Sequence, residues 1–452
     1  MIPRLPRVCV IGAGSSGIAM CKALWDHGLS FVCFEASDRV GGNWVIGNKN
    51  GMSAAYRSLH INTSRPRMEY ADFPMPADYP DFPHHALIAR YFESYVDHFG
   101  FRERIRFSTR VTHAERDPDG LWQITTDGGE VETFDALCVC NGHHWDPRWP
   151  DPPVPGRFDG IEMHSHAYLD PTDPVDFREK RVAVVGMGNS AMDIAVELAS
   201  GPAARVMLAA RRGAHIIPNY LFGRPIDQYV LPVWLPFSVR RVAIAAGLRL
   251  AVGKMEDYGL LRPDHRLGEA HPTISSEILA SLGRGDIIPK PNLTAVLGDR
   301  VQFADGSSEL CDVIVYCTGY KVSFPFFDPA FITAADNDLP LYLRVIPPSI
   351  PGLFFIGLLQ PLGAIMPIAE AQGAWVADLL TGAAALPSEA TMTAAIARAR
   401  KKRQRRYVAS PRHTMQVDFD DYLASLRRER KRGRARADRL GNPLPILARA
   451  AG

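Results

Sequence analysis

Two glycine-rich turns, each between a strand pattern and a helix pattern, constrain the fold of this 452-residue chain more than any other feature. The first turn, GAGSSG, follows an apolar run at 8–11 and precedes a helical pattern at 18–25. The second, GMGNSA, follows a run at 181–185 and precedes a helical pattern at 191–199. A strand, a G-x-G-x-x-G/A turn and a helix open a dinucleotide-binding unit of a parallel α/β fold. The chain is therefore predicted to be an α/β protein with two Rossmann-type domains.

The first turn is predicted to approach a pyrophosphate. Its first glycine allows the tight turn, its second lets the backbone come close to the ligand, and its third lets the helix pack closely. A second apolar strand pattern ends in Glu35, whose carboxylate can accept hydrogen bonds from the ribose of an adenosine. The predicted contacts are Gly12, Ala13, Gly14, Ser15, Ser16, Gly17 and Glu35. The paired glycines of RVGGNW follow, an extension that resembles FAD sites of two-dinucleotide flavoproteins and adds Gly42, Asn43 and Trp44.

The second turn carries a different specificity signal. Gly186 and Gly188 keep the glycine roles, and Ala191 stands in the third position. The next strand pattern ends in Arg211 and Arg212, where the first unit has an acid. Arginine pairs with a 2′-phosphate through charge-assisted hydrogen bonds, which favours NADP(H) over NAD(H). The alternative is that these are ordinary surface arginines at a strand end. Two such units in one chain imply a flavin that is reduced by a nicotinamide.

Composition and cysteine content exclude several other classes of protein. With 46% hydrophobic residues, 22% charged residues and a net charge of +2, the chain has no global charge that would recruit nucleic acid. Its seven cysteines show no C-x-x-C spacing, which excludes a disulfide reductase and indicates reduced thiols in a cytoplasmic protein. The histidine pairs His143/His144 and His164/His166 have no chelating spacing, so no metal site is predicted.

Several further segments occur in one order along the chain: LHINTSRPRMEYADFPMP, FDGIEMHSHAY, GNSAMD, YCTGY, QPLGAIMPIAEAQG and RHTMQVDF. The second contains the pattern F-x-G-x-x-x-H-x-x-x-(Y/F), and a leucine, Leu169, follows it where a basic residue is usual. With these segments the chain, from about residue 7 to about residue 425, resembles the flavin-containing monooxygenases, which are class B flavoprotein monooxygenases.

This resemblance implies an NADPH- and oxygen-dependent enzyme that binds FAD. It would oxygenate a soft nucleophile, an amine or a thioether, through a C4a-(hydro)peroxyflavin. Asn62 is expected to be the catalytic side chain, because it lies in the segment that resembles the flavin-facing stretch of the family. The other contacts that the resemblance implies are Ile61, Thr63 and Gln360 for the flavin, and Asn189, Ser190 and Asp193 for NADPH. Alternatives are a Baeyer–Villiger monooxygenase acting on ketones and a non-oxygenating FAD/NADPH reductase. The ending Tyr168-Leu169 differs from the Trp-Pro ending that is typical of Baeyer–Villiger enzymes.

The resemblance also implies a discontinuous FAD domain. Residues 1–165 and 326–452 are expected to form it, and the NADP domain at 166–325 is inserted between them. Within the insert, residues 213–289 interrupt the Rossmann pattern and are expected to be a helical insertion, with a substrate route or a membrane-proximal surface as the alternative. Two basic runs near the C-terminus are expected to be solvated helix faces. Weak contact with an anionic membrane surface and a homodimer are both left open.

Overall fold

The computed structural model describes residues 4–229, 237–408 and 413–440. Part of the expected insertion, the start of the RHTMQVDF segment and the last twelve residues, 441–452, lie outside these ranges. The helices that the structure describes are, in chain order, α1 Ser15–Asp26, α2 Arg65–Met68, α3 His85–Phe99, α4 Asn189–Ser200, α5 Phe237–Val252, α6 Glu277–Arg284, α7 Met366–Leu380, α8 Glu389–Arg406 and α9 Phe419–Leu440.

The strands that lie within the described ranges are β1 Arg7–Ile11, β2 Ser30–Phe34, β3 Ile105–Arg106, β4 Val111–Arg116, β5 Trp122–Thr126, β6 Val131–Phe134, β7 Ala136–Val139, β8 Asp146–Pro147, β9 Gly156–Phe158, β10 Ile161–His164, β11 Arg181–Val185, β12 Arg205–Ala209, β13 Ile216–Ile217, β14 Tyr220–Leu221, β15 Arg224–Pro225, β16 Thr273–Ile274, β17 Ile287–Lys290, β18 Leu293–Gly298, β19 Arg300–Phe303, β20 Ser308–Leu310, β21 Val313–Tyr316, β22 Tyr320–Lys321, β23 Leu353–Phe355, β24 Gln360–Leu362 and β25 Gln416–Asp418.

The chain forms two compact units. Unit 1 comprises the residues up to 53, residues 65–143 and the residues from 322 onward. Its main sheet is parallel, with strand order β23-β7-β1-β2-β3, and β1 and β7 are nearly all buried, as expected for strands covered on both faces. Helix α1 packs against α7 so closely that a Cβ on Gly373 would lie 3.2 Å from the carbonyl oxygen of Ala19. This unit also contains the antiparallel sheet β4-β5-β6 and the two-stranded sheet β24-β25.

Unit 2 comprises residues 54–64 and 144–321. Its main sheet repeats the parallel arrangement, with strand order β10-β21-β11-β12-β17. Helix α4 follows β11 and buries one apolar face in the core of this unit. A second sheet has the strand order β20-β19-β18-β9. The prediction of an α/β fold with two Rossmann-type units is therefore confirmed. The domain limits at 165/166 and 325/326 stay a prediction, since the compact units divide at 143/144 and 321/322.

The insertion contains more than helices. In its described part, α5 and α6 are accompanied by the short strands β13 to β16, which form two two-stranded sheets. The basic C-terminal runs lie mainly on α8 and α9, and part of their charge is neutralised within unit 1. Arg430 and Arg434 of α9 both bind the carboxylate of Asp378, which is only 2% exposed. In the described residues we find no helix with the length and apolar character needed to span a bilayer.

Candidate cofactor sites

The GAGSSG turn is held by backbone contacts at its first and last glycines. Gly12 has a φ of +98°, and a Cβ there would lie 2.8 Å from the carbonyl oxygen of Cys140. A Cβ on Gly17 would lie only 1.8 Å from the carbonyl oxygen of Gly12. Real Cβ atoms do not approach backbone so closely, and Gly12 also needs a φ that other residues avoid. The turn, its strand and its helix therefore exclude any other residue at these two positions.

The middle glycine has a different environment. Gly14 has a φ of −76°, and the nearest atom to a Cβ placed there is the Cα of Gly42, at 3.7 Å. The protein itself thus leaves space at Gly14, on the face where a ligand would approach the backbone. The neighbouring turn at Gly41 and Gly42 contacts the same loop, because the N–H of Gly41 donates to the carbonyl oxygen of Ala13 (3.2 Å).

Glu35 stands at the end of β2 and is 4% exposed. One carboxylate oxygen accepts the N–H of Ala13 (2.6 Å), and the other accepts the N–H of Ser37 (2.7 Å) and the side-chain amide of Asn50 (3.4 Å). Burial raises the pKa of Glu35, and the backbone donors at Ala13 and Ser37 oppose that rise. A carboxylate has about four lone-pair positions, of which three are used here, so one remains for a ribose hydroxyl. Glu35 both supports the turn and fits an adenosine.

Both glycine turns lead into helices that are open at their N-termini. Gly14 is the N-cap of α1 and Gly188 is the N-cap of α4, and neither helix has a side-chain cap or an acid in its first turn among the described residues. The first N–H groups of an α-helix have no partner within the helix. Together with the helix dipole they form an anion site, which suits a pyrophosphate at each turn.

The second turn is built like the first and braced by the insertion. Gly186 has a φ of +145°, and a Cβ there would lie 2.6 Å from the carbonyl oxygen of Cys317. The side chain of Asn189 accepts the N–H of Ile274 (3.0 Å), and the hydroxyl of Thr273 donates to the carbonyl oxygen of Met187. Strand β16 thereby fixes the turn, and Asn189 already has a structural partner. Ala191 is fully buried, so a small third residue is needed, while Ser190 is half-buried.

The two arginines that were predicted to bind the 2′-phosphate, Arg211 and Arg212, differ in whether their guanidinium groups already have a partner. Both are exposed just past the carboxyl end of β12. Arg212 donates to the carboxylate of Asp264 (2.6 Å), whereas Arg211 has no hydrogen bond or ion pair within residues 4–229, 237–408 and 413–440. Arg211 is thus the arginine whose guanidinium is available to a phosphate.

A cavity of about 230 Å³ lies at the same end of the unit 2 sheet. Met187 of the glycine turn lines it, together with Leu208 and Ala210 at the end of β12 and Pro289 and Lys290 at the end of β17. Open parallel sheets bind ligands outside the carboxyl ends of their strands. Lys290 and Asp305 line the cavity beside the apolar side chains, and Arg211 follows Ala210 in the chain, so this edge of the sheet is a candidate nucleotide site.

Asn62 belongs to unit 2, although the sequence had placed its segment in the first domain. It is half-buried between Ile61 and Thr63, which are buried. Its side-chain amide has no hydrogen-bond partner in the described part of the chain, so its donors and its acceptor are free for a ligand.

Asp193, by contrast, accepts a hydrogen bond from the hydroxyl of Tyr56. Burial raises the pKa of Asp193 to about 6, although the Tyr56 hydroxyl lowers it.

The histidines of the FDGIEMHSHAY segment form a structural cluster. His164 is 3% exposed and its Nδ1 accepts the N–H of His166 (3.1 Å). Burial, aided by His166, lowers the pKa of His164 to about 4, so the ring is neutral. The rings of Trp149 and Tyr320 lie 5.7 and 5.5 Å from it. Across the described ranges no three histidine, cysteine, aspartate or glutamate side chains are grouped as metal ligands would be.

Two residues of unit 1 that the sequence reasoning missed support the first turn. A Cβ on Gly357, just after β23, would lie 2.0 Å from the hydroxyl of Ser16. The N–H of Gly357 donates to the fully buried side chain of Gln372 (2.8 Å). The sequence signal that could have indicated this contact is a glycine shortly after a buried strand.

Of the remaining predicted residues, Gln360 begins β24, Ser15 begins α1, and Gly42, Asn43 and Trp44 form one 3-10 turn.

Comparison with known proteins decides the family. A family model described as "Flavin-binding monooxygenase-like" matches residues 6–431. The chain belongs to the flavin-binding monooxygenase-like family. It is 37% identical over 441 residues to flavin-containing monooxygenase 5 of Rattus norvegicus, covering 93% of this chain and 82% of the relative. It is 36% identical over 442 residues to dimethylaniline monooxygenase [N-oxide-forming] 2 of Mus musculus, with the same coverage.

A solved structure shares the fold of this family member. The S-allyl-L-cysteine S-oxygenase from Allium sativum matches with a TM-score of 0.72 and 24% identity, over 95% of this chain and 90% of the other. The predictions of family, enzyme class and cofactors are confirmed: the protein is an NADPH-dependent flavin monooxygenase that uses FAD. The assignment of individual residues to each cofactor stays a prediction.

Proposed function

We propose that this monooxygenase oxygenates soft nucleophiles, namely tertiary amines and thioethers, with FAD held by unit 1 and NADPH held by unit 2. The observation that carries the proposal is the half-buried amide of Asn62, which has no hydrogen-bond partner in the described part of the chain. Such an amide can donate to a ligand that gains negative charge during a reaction. The N-oxide-forming monooxygenase of Mus musculus, at 36% identity, and the S-oxygenase from Allium sativum, which has the same fold, support this substrate class.

Each cofactor has a matching set of groups. In unit 1 the open N-terminus of α1 and the space at Gly14 suit a pyrophosphate, and Glu35 suits a ribose. In unit 2 the open N-terminus of α4 and the free guanidinium of Arg211 suit a nucleotide with a 2′-phosphate. When bound and reduced by NADPH, FAD would activate molecular oxygen, one atom of which is transferred to the substrate while the other leaves as water.

The chain's own residues then position and protect the reacting groups. Asn62 would donate hydrogen bonds to the bound flavin or to the nicotinamide and so help to orient it. Ile61 and Thr63 on either side are buried and anchor the backbone that carries the half-buried Asn62. A soft nucleophile needs no proton removed before it attacks oxygen, so no substrate-side base is required.

The test is product analysis with three probes: methyl phenyl sulfide, N,N-dimethylaniline and cyclohexanone. We expect NADPH and oxygen consumption with sulfoxide and N-oxide as products, each in a near one-to-one ratio to NADPH. Formation of lactone from the ketone, without either heteroatom product, would overturn the proposed substrate class. NADPH oxidation that yields only hydrogen peroxide with all three probes would instead favour a non-oxygenating reductase.

Two further parts of the proposal concern the surroundings of the enzyme. A weak contact with anionic lipid would use those arginines of α8 and α9 that face solvent, whereas Arg430 and Arg434 share the carboxylate of Asp378. Sedimentation with anionic vesicles tests that contact, and sedimentation velocity tests a homodimer.

A further inference from the structure

The strip at 54–64, which contains Asn62, is attached to unit 2 although the chain on both sides of it belongs to unit 1. Near the start of the strip, the hydroxyl of Tyr56 donates a hydrogen bond to the carboxylate of Asp193 on α4. Tyr56 is 3% exposed, and burial raises the pKa of its phenol well above its ordinary value. The phenol therefore stays protonated and remains a donor throughout the working pH range.

The end of the strip has a matching tie. The N–H of Ser64 donates to one carboxylate oxygen of Asp227 (2.6 Å), in the insertion. Ser64 is fully buried, and its hydroxyl accepts the side-chain amide of Gln228 (3.4 Å). The middle of the strip is held as well, since the backbone N–H of Arg57 donates to the carbonyl oxygen of Leu169 (2.7 Å).

We propose that Asp193 and Asp227 are positioning residues that hold the two ends of the Asn62 strip, so that the Asn62 amide keeps a fixed place on unit 2. The inference rests on the role proposed above for Asn62. It assigns Asp193 a task other than the cofactor contact expected from sequence, because its carboxylate is already bound to Tyr56.

The geometry explains why both ties matter. Asn62 stands six residues after Tyr56 and two residues before Ser64, in a segment that is neither helix nor strand. Such a segment has no continuous ladder of backbone hydrogen bonds, so the single ties at Tyr56, Arg57 and Ser64 fix where its residues lie. A displacement of about 1 Å at a reacting group can cost on the order of 100-fold in rate.

The test is the ratio of oxygenated product to NADPH consumed in the holoenzyme, with methyl phenyl sulfide as the substrate. Tyr56→Phe removes the hydroxyl and keeps the ring. We expect the ratio to fall by about two-fold or more, with hydrogen peroxide rising to match, because a loosened amide misplaces the reacting groups. FAD content is expected to stay at one per chain.

Tyr168→Phe is the matched control. Tyr168 is fully buried, and its hydroxyl donates to Glu197 (2.9 Å), one turn beyond Asp193 on the same helix. It holds no part of the strip with that hydroxyl, so the ratio should stay at the wild-type value. Asp193→Asn, whose amide oxygen can accept the same hydrogen bond, should keep most of the coupling that Asp193→Ala loses. Asp227→Ala should uncouple as Tyr56→Phe does.

A double variant separates positioning from general damage. If Tyr56 acts through Asn62, Tyr56→Phe combined with Asn62→Ala should be no more uncoupled than Asn62→Ala alone. Full additivity, wild-type coupling in Tyr56→Phe, or equal uncoupling in Tyr168→Phe would each overturn the inference while leaving the role of Asn62 intact. Wild-type coupling in Asn62→Ala would overturn the role of Asn62 itself, and this inference with it.

Discussion

Replacing Gly14 with alanine should separate the stability of the protein from its affinity for FAD. The new Cβ would have only one neighbour within van der Waals range, the Cα of Gly42 at 3.7 Å, and the φ of −76° suits alanine. The folded chain without ligand should therefore be unharmed, or stabilised by about 0.4–1 kcal/mol because alanine restricts the unfolded chain more than glycine does.

The same methyl group should weaken FAD binding. It occupies the space that the backbone needs to approach the pyrophosphate, and hydrogen bonds to a charged acceptor contribute about 1.5–3 kcal/mol each. Losing one of them lowers the affinity by about 10- to 100-fold. The assay is flavin absorbance per protein after gel filtration, together with the melting temperature measured with and without added FAD.

Gly17→Ala is the contrasting variant. Its Cβ would lie 1.8 Å from the carbonyl oxygen of Gly12, so both stability and FAD content should fall. Gly14→Ala should lose FAD and keep the melting temperature of the ligand-free protein. A Gly14→Ala protein that retains one FAD per chain after gel filtration would refute the assignment of this turn to the pyrophosphate.

Two further predictions concern unit 2 and the pH dependence of unit 1. Arg211→Ala should raise the KM for NADPH about ten-fold or more and leave the KM for NADH unchanged. Arg212→Ala should have a smaller effect, because the guanidinium of Arg212 is already paired with Asp264. Equal effects on the KM of both nucleotides would mean that the 2′-phosphate binds elsewhere. Burial raises the pKa of Glu370 to about 7, and the Asp72 carboxylate adds to that rise. Because the pKa of the Glu370 carboxyl is higher in the folded protein than in the unfolded chain, the protonated carboxyl stabilises the fold at low pH, and this stability is lost as the pH rises through about 7. Between pH 4.5 and 8 the free energy of unfolding of wild type should therefore fall by about 1–3 kcal/mol relative to that of Glu370→Gln, measured by urea unfolding.

The fold could be predicted because its signals are local. Strand β11 was predicted with the bounds it has, since a run of buried apolar residues before a glycine turn has few alternatives. The helix after the first turn begins at Ser15, three residues earlier than predicted, because the end of the GAGSSG turn already forms its first helical turn. The insertion was expected to be helical, and its two-residue strands are too short to give an alternating pattern.

The partners of the site residues could not be predicted in the same way. Which unit holds the Asn62 strip depends on ties to Asp193 and Asp227, and both lie more than 100 positions further along the chain. The buried carboxylate of Asp378 is a second case, because its arginine partners lie 52 and 56 positions further along the chain, on α9. Sequence position carries no information about such long-range pairs, so residue types pointed to the chemistry while the ties that position them emerged only from the fold.

The most direct test of the account is the coupling ratio of Asn62→Ala, measured as sulfoxide formed per NADPH consumed and compared with wild type. We expect the variant to keep its FAD, because Gly14 and Glu35 are unchanged, and we expect NADPH still to reduce the flavin. Oxygen transfer should fall more than reduction, since removing a preorganised donor typically costs about 3–4 kcal/mol. The missing product should be recovered as hydrogen peroxide. A variant that forms as much sulfoxide per NADPH as wild type, with only a lower melting temperature, would contradict the account.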